Sequence, residues 1–69
     1  MKVRVHILPT KKETKTVQLK EGETVEQLLH KLSLYPDAWI AVRLDTPIPL
    51  DEPLEDGDEI KLIAVVSGG

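Results

Sequence analysis

The sequence predicts an α+β domain in which a mixed sheet of four or five strands packs on a single helix. Apolar and polar residues alternate in KVRVHIL, AWIAVRL and EIKLIAVV, the period-two pattern of strands with one buried face. Only TVEQLLHKL has the 3.6-residue spacing of an amphipathic helix, so one helix must cover the sheet. At 69 residues the chain has room for one small core and no second domain.

The elements follow in order. Val3, Val5 and Ile7 share one face of the first strand, with Lys2, Arg4 and His6 on the other. Pro9-Thr10-Lys11-Lys12 interrupts the alternation and Thr16-Val17-Gln18-Leu19 resumes it, which reads as a hairpin. Gly22 marks a turn, Thr24 is placed as an N-cap, and Gln27 can close a capping box. Val25, Leu28, Leu29 and Leu32 then form one helical face, and Pro36 bars continuation.

In the next alternating run Ile40, Val42 and Leu44 share one face, opposite Trp39, Ala41 and Arg43. The first set is expected to turn inward, with Ile40 joining Val3, Val5 and Ile60 beneath the helix. The proline-rich stretch DTPIPLDEPLEDGDE is expected to be turns, with a brief edge strand near Ile48. Asp56-Gly57 is a turn, after which Ile60 and Leu62 face inward on the last strand. The first and last strands are best buried side by side in the sheet centre. That arrangement is the ubiquitin-like β-grasp, with the domain over residues 1–66 and a flexible Gly-Gly tail over residues 67–69.

Composition excludes several functions. The formal net charge of −3 and the dispersed Lys and Arg argue against nucleic acid, and only Tyr35 and Trp39 are aromatic. Without cysteine there is no disulfide framework, thiolate metal site or iron–sulfur cluster. No run approaches a membrane span and no apolar leader opens the chain, so a soluble cytoplasmic protein, monomeric when free, is expected. His6 and His30 are isolated and make a poor metal pair. The acidic run from Asp45 to Glu59 lacks the ligand spacing of a calcium loop. It reads as a mobile, solvated loop that discourages aggregation, or as an electrostatic lure for a basic partner. Asp51 and Glu55, the nearest carboxylate pair, lie within it without apolar shielding, and no nucleophile has a base beside it. The chain is expected not to be an enzyme and to bind no cofactor or metal.

Chemistry is left to the end, IAVVSGG. Glycine has no Cβ, so Gly68 and Gly69 can thread a passage that any side chain would block. A carboxylate presented to ATP can become an acyl adenylate, and a terminal glycine offers an unhindered carbonyl to the next nucleophile. A residue added after Gly69 would abolish that reaction. A diglycine alone is weak evidence, since frayed ends favour glycine. After the apolar last strand of an expected β-grasp it carries more.

The TVEQLLHKL helix, the PLEDGDEIKLI approach and the VVSGG end, in this strand order, resemble the ubiquitin-like sulfur-carrier and modifier family. ThiS-like and MoaD-like carriers and the small archaeal modifier proteins belong to it. The resemblance implies that an adenylating, ubiquitin-activating-type enzyme uses ATP to activate the Gly69 carboxylate. A thiocarboxylate or an isopeptide bond to a lysine would follow. It also implies that Gly68 is the slim neighbour and that Val65, Val66 and Ser67 lie along the enzyme's passage. LPTKKETK replaces the short Asn-Gly hairpin turn usual in ThiS-like chains, and Ala64-Val65 stand where MoaD-like tails carry prolines. Thiamine, molybdopterin, tRNA thiolation and protein conjugation therefore all stay open as pathways.

Alternation further places Leu8, Ala41, Ile63 and Val65, with Trp39 beside them, on the sheet face away from the helix. Together they would make a contact patch for the activating enzyme beside the tail; scattered single exposures are the ordinary alternative. Three functions stand: a sulfur carrier, a lysine-linked modifier, and a non-covalent binding module that would tolerate a C-terminal extension.

Overall fold

The computed structural model describes residues 1–8 and 13–65. The expected turn at residues 9–12 and the domain boundary expected after residue 66 lie outside them. β1 (Lys2–Leu8) pairs antiparallel with β2 (Glu13–Gln18), and α1 (Val25–Lys31) follows. A 3-10 turn (Pro36–Ala38) leads into β3 (Trp39–Arg43), which pairs antiparallel with the short β4 (Thr46–Ile48) and with β5 (Glu59–Ala64). The sheet order is β2-β1-β5-β3-β4, and the first and last strands run parallel at its centre. These are the mixed sheet, single helix and central strand pair that the alternation demanded.

Val3, Val5, Val25, Leu28, Leu29, Ile60 and Leu62 are fully buried, joined by Leu19, Ala41 and Leu54. Each such aliphatic side chain contributes about 1.5–3 kcal/mol by leaving water. At the start of α1, Gln27 Oε1 accepts from the Thr24 N–H at 2.8 Å, the backward half of the expected capping box. The Val25 and Glu26 N–H groups donate to the carbonyls of Glu52 and Leu50. Otherwise orphaned helix donors are thus satisfied by a distant loop. The helix stops before Pro36, because Ser33 takes a left-handed conformation (φ 59°) and Leu32 closes the last turn.

Two expectations are corrected. Ile40 is not beneath the helix: it is 44% exposed, whereas Ala41 is 3% exposed and belongs to the core. The β3–β5 register explains the inversion. Ala41 lies opposite Leu62 and Ile40 opposite Ile63, and cross-strand partners share a face. Because Leu62 is buried with Leu28 and Leu29, little volume is left there, and alanine fits where isoleucine would overpack.

The second correction concerns residues 49–58, expected to be a mobile, solvated loop. Thr24 bridges Pro53, Leu54 is a buried plug, and the Leu54 N–H donates to the Glu23 carbonyl. Arg43, half-buried on the helix side of β3, pairs with both Glu52 and Asp58. The Lys2 N–H donates to Asp56 at 2.7 Å, and Gly57, at φ 84°, turns its own N–H onto the Lys2 carbonyl. Glu52, Asp56 and Asp58 therefore brace the chain against itself. The Arg43 guanidinium is held above the usual arginine value, chiefly by its hydrogen bond to Glu52 and secondarily by Asp58, against the opposing effect of burial.

Candidate functional site: the outer face of the sheet

With α1 covering one face, the alternation of β1, β3 and β5 turns a second set of side chains outward. Leu8, Ile63 and Ile40 lie in one row across the three strands. Ile63 is 38% exposed, Leu8 is half-buried, and Val65 follows Ile63 at 40% exposure. The Val65 N–H donates to the Ala38 carbonyl at 2.8 Å, which holds the last described residue against the 3-10 turn. An apolar row therefore sits where the chain leaves the sheet.

Leu8, Ile63 and Val65 are thus brought together as expected, while Ala41 is not, and the half-buried Trp39 packs against the core instead. A side chain that is 3% exposed offers no contact area, so Ala41 is withdrawn from the patch. Ile40 takes its place. The signal was present in the apolar character of both faces of AWIAVRL, but alternation alone does not say which face is inward. Val66, Ser67, Gly68 and Gly69, the remaining expected site residues, lie outside the described residues.

Farther along the same face, His6, Lys61, Val42 and Pro47 form the next row. An open hollow of about 430 Å³ is lined there by Val42, Leu44, Asp45, Glu59, Lys61 and His6, among others. Charged side chains in and beside it are paired: Lys61 with Asp45 at 3.6 Å, and Glu59 with Arg4 at 3.3 Å; His6 Nε2 lies 3.9 Å from Glu59. His6 Nδ1 is 3.0 Å from the Thr14 hydroxyl. Exposed pairs of this kind contribute at most about 1 kcal/mol each. Among the described residues no group of three metal-ligating side chains is assembled and no helix is long and apolar enough to cross a membrane. What this face can do is dock against another surface.

Comparison with known proteins gives a consistent pattern. A ThiS family model matches residues 5–69. The sulfur carrier protein TtuB of Thermus thermophilus is 29% identical over 57 residues, covering 83% of this chain and 88% of that protein. Among solved structures, SAMP1 from Haloferax volcanii superposes with a TM-score of 0.77 at 22% identity, over all of both chains. A chain from the complex of subunits 1 and 2 of the molybdopterin-converting factor of Helicobacter pylori is 27% identical, with a TM-score of 0.67 over all of both chains.

Proposed function

The chain belongs to the ThiS family, and from that premise we propose that it is a sulfur carrier activated at the Gly69 carboxylate. Members of this group are small carriers or ubiquitin-like modifiers, on which other proteins act. In the proposed cycle, a carboxylate oxygen of Gly69 attacks the α-phosphorus of ATP held by an adenylating enzyme, and pyrophosphate leaves. Hydrosulfide from a sulfur donor then adds to the acyl carbon and AMP departs, which leaves a thiocarboxylate whose sulfur can pass to an acceptor. The observation that carries the reading is the family match, which runs through the last strand to residue 69. The outer apolar row supports it, since Ile63 and Val65 lead directly toward the glycines and Leu8 and Ile40 widen the surface an enzyme would hold.

The test is intact-mass measurement after incubation with the adenylating enzyme of the same organism, ATP and a sulfur donor. A single oxygen-to-sulfur exchange localised to Gly69 is expected, and appending one alanine after Gly69 should abolish it while leaving the melting temperature unchanged. Conjugates joined from Gly69 to lysine would replace the sulfur-carrier reading with the modifier reading. An unaltered carboxylate, in the presence of enzyme active on another carrier, would leave a non-covalent binding module.

A further inference from the structure

The ladder between β3 and β5 ends on half a rung. Ile40 lies opposite Ile63 and Trp39 opposite Ala64, so the same register sets Ala38 opposite Val65. In an antiparallel ladder, pairs that exchange two hydrogen bonds alternate with pairs that exchange none. The Val65 N–H donates to the Ala38 carbonyl at 2.8 Å, which makes this a bonded pair and Ile40–Ile63 the bonded pair before it. The return bond is diverted: the Ala38 N–H donates to the Tyr35 carbonyl at 3.0 Å, across the 3-10 turn Pro36–Ala38.

Pro36 explains the diversion. Its fixed φ suits the first position of a helical turn, and it keeps Tyr35 before it in extended backbone (φ −81°, ψ 126°). A continued ladder would next set Pro36 opposite Ser67 as a bonded pair, and proline has no N–H to give. Pairing of β5 is therefore held at Val65 and barred from running on toward the diglycine. Where pairing stops decides how far the terminal carboxylate reaches. Four residues follow Val65, a span of at most about 14 Å. Without the Val65 bond the last bonded pair is Ile63, and the span grows to about 21 Å with two further residues to order. Ordering two residues on the enzyme is worth roughly 30- to 1,000-fold in rate.

We propose that the Pro36–Ala38 turn is a positioning element for activation: the Ala38 carbonyl holds Val65, and Pro36 ends the pairing there, so that the last four residues start from one fixed place. This rests on the sulfur-carrier reading and assigns backbone groups of the turn a part in the rate that docking does not supply.

The test deletes the donor and keeps the side chain. A full chain assembled by chemical ligation, with an ester in place of the Ala64–Val65 amide, lacks the Val65 N–H and nothing else. ATP–pyrophosphate exchange with the purified adenylating enzyme of the same organism is measured against carrier concentration, below the melting temperature of both chains. kcat should fall at least about tenfold, while KM for the carrier stays within about twofold, because the docking side chains are unchanged. A wild-type kcat overturns the proposal, with or without a raised KM, since the bond would then serve docking or stability alone. If the ester chain does not fold, a glycine inserted between Val66 and Ser67 decides, because it lengthens the span and leaves every described residue in place. A lowered kcat at unchanged KM is again expected, and wild-type exchange overturns the proposal. Pro36→Val restores an N–H and favours a strand, so hydrogen exchange at the Ser67 amide should slow as pairing runs on, and kcat should fall. Either quantity at its wild-type value overturns the part assigned to Pro36. If the wild-type chain supports no exchange with enzyme active on another carrier, the sulfur-carrier reading fails and the proposal with it. Exchange by the wild type together with an indifferent ester chain overturns the proposal alone.

Discussion

Arg43 shows how a single side chain can invert the meaning of an alternating strand. It shares the helix side of β3 with Ala41, and there it meets Glu52 and Asp58, so its charge is compensated where it is half-buried. With its proton held more tightly in the folded state than in the unfolded one, Arg43 contributes stability wherever its carboxylate partners are ionised and the pH is below the unfolded arginine range. On the alkaline side that contribution is lost as pH rises through the still higher folded value. The neighbouring pair Ile40 and Ala41 tests the face assignment. Ala41→Asp should destabilise the domain by about 3–5 kcal/mol, the cost of an uncompensated buried charge. Ile40→Asp should lower the melting temperature by only a few degrees, because that position is 44% exposed. Equal losses in thermal melts would return Ile40 to the core.

At the scale of elements, the segment between β4 and β5 supplies a cap for α1, a plug for the core and both carboxylates for Arg43. Truncating the plug separates this account from that of a solvated loop. Leu54→Ala should lower stability by about 2–5 kcal/mol, as for other buried leucines, and hydrogen exchange should quicken at the Val25 and Glu26 amides that the same segment holds. A change below about 0.5 kcal/mol, the usual range of surface substitutions, would mean that the segment is decoration. Its composition of prolines and acids read as turns, and turns it has. Its bracing role was hidden because it depends on Thr24 and Lys2, distant in sequence, and on the inward turn of Arg43, which alternation alone does not fix.

For the molecule as a whole, the two faces of the sheet divide the labour: one is closed by α1, and the other presents an apolar surface between self-paired charges. Capture by the adenylating enzyme should therefore vary less than about threefold between roughly 0.05 and 0.5 M salt, and Ile63→Asp should weaken it without unfolding the domain. A steep salt dependence would revive the acidic run as an electrostatic lure.

By itself the sequence determined the element types, their order and the central pairing of first and last strands. Those follow from local periodicity and from the need to cover one sheet with one helix. The resemblance of the helix, the approach to the last strand and the VVSGG end likewise pointed to the family that the later match supports. Only the tertiary structure decided which face of β3 is inward. AWIAVRL is apolar on both sides, so the choice rests on the register that sets Ala41 beside Leu62. The same register turned Ile40 outward beside Ile63, removed Ala41 from the expected patch, and left Leu44 in water at the tip of a strained turn. Periodicity tells a strand that it has two faces; the packing of its neighbours tells it which one to hide.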